Sequence, residues 1–146
     1  MKLAIIGSRT LNQQQVIRVI EQVVTKSKTP ITTIVTGGAN GVDSIAEYYA
    51  KMSNINVEVF YPVYKKYGKR APLIRNNEII KNCDGVLAIW DGVSNGTAYT
   101  INKAKRENKT VMVVELTATK AYHDNVWNFP KQGRPRKEVE NNVRTV

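Results

Sequence analysis

Five short apolar runs, at residues 3–6, 31–35, 57–61, 85–90 and 111–116, constrain the fold of this chain more than any other feature. Each has strand length and little polar interruption, and between them the apolar residues switch to helical spacing. Val16, Ile17, Ile20, Val23 and Val24 recur at that spacing in a helix spanning residues 12–26. Val42, Ile45, Ala46, Tyr49 and Ala50 share one face of a second helix. Pro72 opens a third that runs to residue 81, with Leu73, Ile74, Ile79 and Ile80 as its apolar positions. A fourth carries Ala98, Ile101 and Ala104. Strands that are apolar on both faces belong in a parallel sheet with helices on each side, and the intervening helices supply the crossovers that parallel pairing requires. The expectation is an α/β fold with an open parallel sheet of about five strands and helices on both faces.

That unit occupies residues 1–119. Residues 120–146 contain Pro130, Gly133 and Pro135 and lack a clear period, so they read as an irregular, basic C-terminal extension. No apolar run approaches the roughly 18 residues of a membrane span. The first apolar run is too short for a signal peptide and ends in a turn, which favours a first strand and a cytoplasmic protein. Cys83 is the one cysteine and reads as a small buried residue at a strand entrance. With a single histidine beside it, neither a disulfide framework nor a protein-built zinc site is expected, and no cofactor is implied.

The net charge is +10, and its distribution carries information. Residues 61–81 hold six Lys/Arg against one Asp/Glu, and residues 120–146 hold six against three. Residues 82–119 balance at four and four. The excess sits in one internal segment and in the extension, which points to polyanionic ligands, either phosphates or nucleic acid.

Four segments that follow strands should converge on one edge, because ligands of open parallel sheets bind beyond the carboxyl ends of the strands. Gly7 lets the chain turn tightly after the first strand, and Ser8 and Arg9 offer a hydroxyl and a guanidinium to a phosphate oxygen. Thr36-Gly37-Gly38-Ala39-Asn40-Gly41 leads into the second helix and presents backbone amides at its positive end. In that segment Asn40 reads as a residue tolerant of a left-handed turn. Asp43 reads as an N-cap or first-turn acid, with ribose hydroxyls as the alternative partner. Asp91 lies at the end of the fourth strand, and Ser94, Asn95, Gly96 and Thr97 supply a second set of helix N-terminal amides plus two hydroxyls. In residues 61–70, basic residues alternate with Tyr61, Tyr64 and Tyr67, giving charges for phosphates and flat faces for bases. Tyr64 is the candidate base contact there, and Arg75 and Asn76 point back at the same cleft from the next helix. No Gly-x-Gly-x-x-Gly follows the first strand and no Gly-Lys-Ser/Thr occurs, which argues against dinucleotide redox chemistry and triphosphate hydrolysis.

Together, Gly7-Ser8-Arg9, residues 36–43, Arg75-Asn76-Asn77 and Ser94-Asn95-Gly96-Thr97 resemble the SLOG superfamily across roughly residues 1–116. That superfamily joins the DNA-processing Smf proteins with the LOG phosphoribohydrolases. The resemblance implies a Rossmann-like sheet, dimers or higher oligomers, and a nucleotide pocket built from these segments. It also implies a catalytic test. LOG-type hydrolases place a glutamate on the helical turn after their Gly-Thr, whereas here Gly96-Thr97 is followed by Ala98-Tyr99-Thr100. Without that acid, glycosidic hydrolysis lacks its main residue. No catalytic residue is therefore assigned. The first reading is binding without turnover of a small phosphate-containing nucleotide ligand, a cyclic nucleotide or an ADP-ribose-type signal, including sequestration of the signal against an antiviral response. LOG-like hydrolysis with a displaced acid is the second. Smf-like binding of single-stranded DNA, using Arg134, Arg136 and Lys137, is the third.

Overall fold

The computed structural model of the protein describes residues 1–117. The elements are β1 (Lys2–Gly7), α1 (Gln13–Lys26), β2 (Thr33–Thr36), α2 (Val42–Met52), β3 (Asn56–Val59), α3 (Tyr64–Tyr67), a 3-10 turn (Gly68–Arg70), α4 (Ala71–Lys81), β4 (Gly85–Trp90), α5 (Asn95–Arg106) and β5 (Thr110–Glu115). The expected extension at 120–146, with Arg134, Arg136 and Lys137, lies outside the described residues.

All five strands pair in parallel in the order β3-β2-β1-β4-β5. β1 is central, with Ala4 opposite Val35 on one side and Val86 on the other. Alternate β1 residues feed opposite layers, as the two-residue repeat of a strand demands. Leu3 and Ile5 join Ile34, Leu87 and Ile89 against Val16 and Ile20 of α1 and Val42 and Ile45 of α2. Ala4 and Ile6 join Val35, Val86 and Ala88 against Ile79 and Ile80 of α4 and Ile101 and Ala104 of α5. Helices thus cover both faces, as the apolar runs imply.

Several expectations change in detail. Residues 61–70, read as a loop, contain one turn of α-helix and one 3-10 turn, because the Lys66 and Tyr67 amides close back on the Val63 carbonyl. α4 begins at Ala71, so Pro72 sits just inside the first turn, where its missing N–H leaves nothing unsatisfied. Leu73 is exposed on α4, while Ile79 and Ile80 enter the core. β5 is an edge strand with Met112 and Val113 exposed by 51% and 39%, in contrast to a strand covered on both faces. Cys83 is buried just before β4, where its thiol donates to the Ile80 carbonyl.

Candidate functional site

The chain leaves β1 for β2 on one side and later enters β4 on the other, so the crossovers diverge between β1 and β4. Such a switch point opens a crevice at the carboxyl ends of the two strands. Here it holds a cavity of about 270 Å³ walled by the segments after β1, β2 and β4 and by the first turns of α4 and α5.

Ser8 joins these walls and is itself 2% exposed. Its amide donates to the Ile89 carbonyl and its carbonyl accepts from the Val42 amide at the start of α2, both at 3.1 Å. Its hydroxyl accepts from the Asp91 amide and lies 3.0 Å from the Ser94 hydroxyl. Ser8, expected to face a phosphate, therefore spends its hydrogen bonds on fixing the β1 and β4 ends.

The Asp91 carboxylate closes the next segment. One oxygen accepts from the Val93 and Ser94 amides at 2.8 and 2.7 Å, and the other accepts from the Ser94 hydroxyl at 2.8 Å. Ser94 occupies the N-cap position of α5 but makes no capping bond, because its hydroxyl is drawn to Asp91 and Ser8. The first-turn amides of a helix have no intrahelical acceptors, and those of Asn95, Gly96 and Thr97 lack the side-chain cap that serine usually provides. Gly96 and Thr97 line the cavity. A methyl group at Gly96 would meet nothing within 4 Å, so no neighbour among the described residues requires a glycine there. Thr97 is 7% exposed, and its hydroxyl takes no partner among the described residues.

The segment before α2 behaves differently. Asp43, the second residue of α2, is 5% exposed, and its carboxylate folds back to accept from the Ala39 amide at 3.3 Å. Burial pushes its carboxyl from 3.8 up to about 6, against the Arg75 guanidinium and the amides of Ala39, Gly37 and Gly7, all of which favour the charged form. The glycine-rich segment expected to cradle a ligand anion is thus occupied by the protein's own carboxylate. Arg75 Nη1 donates to the Gly37 and Phe60 carbonyls, and Nε donates to Asn76 Oδ1 at 2.7 Å. Arg75 therefore ties α4 to the ends of β2 and β3 while facing the cavity.

The sequence model of the YspA, cpYpsA-related SLOG family matches residues 1–67. Residues 1–67 thus carry a SLOG-family domain. No curated protein and no solved structure matches the chain. A SLOG domain implies a nucleotide-related ligand, and the matched segment contains Gly7, Ser8, Arg9, Ala39 and Asp43 of the cavity lining.

Of the residues expected at a SLOG-type site, Gly7, Ser8, Arg9, Asp43, Arg75, Asn76, Ser94, Gly96 and Thr97 line this one cavity. Thr36, Gly37, Gly38, Asn40, Gly41, Tyr64, Asp91 and Asn95 lie outside its lining. Thr36 is buried and donates to the Ile5 carbonyl at 2.8 Å. Gly38 and Gly41 carry φ of +72° and +82°, while Asn40, expected to tolerate a left-handed turn, has no positive φ. A Cβ at Gly41 would stand 2.3 Å from the Arg9 carbonyl oxygen, so this glycine admits contact between two segments of the protein itself. At Gly38 it would meet the Tyr61 ring at 2.6 Å. Tyr64 is 53% exposed on α3.

Ile6, Ala39, Pro72, Leu73 and Thr100 complete the walls without having been assigned to the site from the sequence. Thr100 follows Thr97 by three residues, the spacing that places two residues on one helical face, so this signal was present in the sequence. Leu73 reads by periodicity as core, and only its exposure at the α4 N-terminus reassigns it. Among the described residues no group of His, Cys, Asp and Glu could hold a metal ion, and no helix is long and apolar enough to cross a membrane.

Proposed function

We propose that the protein binds a nucleotide-derived ligand without turning it over, with the ligand's phosphate on the first turn of α5. The observation that carries this reading is the uncapped α5 N-terminus at a cavity: the serine that would cap it is held by Asp91 and Ser8. Free amides at the positive end of a helix attract an anion, and the Thr97 hydroxyl adds a further donor. The apolar surface of Pro72 and Leu73 on the opposite wall suits the flat face of a base or a sugar edge. Held intact, such a signal is withdrawn from its receptor, and sequestration is the form of the activity proposed.

The test is retention followed by release. Purified protein is mixed with mononucleotides, cyclic nucleotides and ADP-ribose derivatives and then filtered. The retained fraction is heated, and both fractions are chromatographed. A compound depleted from the filtrate and recovered intact on heating supports binding without turnover. Free base or a phosphoribosyl product would make the protein a hydrolase and direct attention to Asp43, the carboxylate in the cavity wall.

Binding of single-stranded nucleic acid is the second reading, favoured by one surface. Tyr61, Tyr64 and Tyr67 are exposed beside Lys65, Lys66, Lys69 and Arg70, and Lys66 Nζ stands 5.2 Å from the Tyr67 ring centroid. That reading requires affinity for an oligonucleotide that falls steeply with salt, and a salt-insensitive or absent signal rejects it.

A further inference from the structure

We infer that Asp91, which lies outside the cavity lining, is a positioning residue for the ligand: it holds the Ser94 hydroxyl off the α5 cap and so keeps the first-turn amides free for an anion. This rests on the binding reading above and names the residue that keeps its site open.

The Ser94 backbone is already that of an N-cap residue. Its φ, ψ of −56°, 122° are non-helical, and its carbonyl accepts the first helical bond, from the Ala98 amide at 3.1 Å. Only rotation about the Cα–Cβ bond separates its hydroxyl from the Gly96 or Thr97 amide, the usual partners of a capping serine. A closed ring of three hydrogen bonds opposes that rotation. Ser94 donates to Asp91 Oδ2 at 2.8 Å, which leaves Ser8 to donate across the 3.0 Å contact between the two serines. The Asp91 amide completes the ring by donating to Ser8 Oγ at 3.0 Å. The other Asp91 oxygen accepts from the Val93 and Ser94 amides, which fixes the carboxylate in place. A separate observation at the same turn points to a ligand: Thr97 lines the cavity, is more than nine-tenths buried, and its hydroxyl has no partner among the described residues.

Other charges act on the same anion. Arg9 and Arg75 line the cavity and attract it, and Asp43 opposes it when charged. Asp91 opposes it as well, as a carboxylate bonded to the Ser94 amide at the start of α5. Removing Asp91 therefore has two opposed effects on affinity: one repulsive charge fewer, and a serine released to occupy the amides. Replacing Ser94 separates them. Only the second effect depends on the serine hydroxyl, and Arg9, Arg75 and Asp43 are the same in every variant.

The experiment is amide hydrogen exchange, followed by NMR, on the full chain as wild type, Asp91→Ala, Ser94→Ala and the double variant. Each is also titrated calorimetrically with adenosine 5′-monophosphate. Exchange at the Gly96 or Thr97 amide is expected to slow roughly fivefold in Asp91→Ala, as one serine cap would give, and to return to the wild-type rate in the double variant. Adding Ser94→Ala should favour the monophosphate roughly fivefold more in the Asp91→Ala protein than in the wild type. Unchanged or faster exchange in Asp91→Ala overturns the inference, and faster exchange would make Asp91 a support of the turn alone. Should Asp91→Ala not fold, Ser94→Ala by itself still decides. Exchange that speeds up in that variant would show that the serine caps α5 in the wild type and would overturn the inference, whereas unchanged exchange supports it. If the monophosphate binds none of the proteins while the exchange pattern holds, the binding reading fails and the hold of Asp91 on Ser94 stands.

Discussion

Replacing Asp43 with asparagine should change how the stability of this protein follows pH. An aspartate carboxyl titrates at 3.8 unperturbed, and burial pushes Asp43 to about 6 in the folded state. Between those values the folded chain holds a proton that the unfolded chain has released. At about 1.4 kcal/mol per unit, the difference corresponds to a contribution on the order of 3 kcal/mol. Because the folded value is the higher one, this contribution is fully present below 3.8 and is lost as pH rises through about 6. The asparagine variant has no proton to exchange at this position. The unfolding free energy of the wild type minus that of the variant should therefore fall by on the order of 3 kcal/mol between about pH 4 and about pH 7.5. Urea unfolding of both proteins across that range measures the difference, and the subtraction removes the other titrating groups. A flat difference would refute the buried, weakly compensated carboxylate. A difference that rises with pH would mean that Arg75 and the backbone amides outweigh burial.

Four other substitutions separate roles in and around the site. Gly96→Ala adds a methyl group where nothing lies within 4 Å and removes a glycine from a helix, so thermal unfolding should show a gain of up to about 1 kcal/mol. The same variant should bind nucleotide more weakly by titration calorimetry, and unchanged affinity would place the ligand elsewhere. Arg75→Ala removes the donor to two backbone carbonyls and a cation that favours the charged form of Asp43, so urea unfolding should report a loss of about 1–3 kcal/mol near neutral pH. Gly41 and Gly68 form a matched pair, with φ, ψ of 82°, −131° and 59°, −134°. Alanine at Gly41 collides with the Arg9 backbone while alanine at Gly68 meets nothing, so Gly41→Ala should cost clearly more in thermal unfolding. Equal losses would show that backbone conformation alone sets both.

The fold was legible because parallel strands buried on both faces have to be written as unbroken apolar runs. The runs at 3–6 and 85–90 match β1 and β4 to within a residue at either end, and Asn12 caps α1 through its Oδ1, which accepts from the Gln15 amide at 3.1 Å. The position of the cavity was legible for a related reason: glycine and serine gather where strands end at a switch point. What each residue does there was less so. Ser8 and Ser94 lie 86 positions apart and meet only after β1 and β4 have paired. Gly37 and Arg75 meet only once α4 has packed across the β2 end. No local pattern states that Asp91 will withdraw a serine from its cap, or that Asp43 will fold back onto the preceding glycine-rich segment. The turns at 64–70 escaped a reading based on apolar spacing because none of their residues is buried. Their helical geometry follows from backbone closure onto Val63 and not from a core face.

The most direct test of where the ligand's phosphate sits is an amide-detected NMR titration of the isotopically labelled protein with a nucleoside 5′-monophosphate. Saturable shifts at the Gly96 and Thr97 amides are expected, with the Ala39 amide changing less because it already donates to Asp43. Shifts confined to residues 61–70, with Gly96 and Thr97 unmoved at saturation, would contradict binding at the α5 N-terminus.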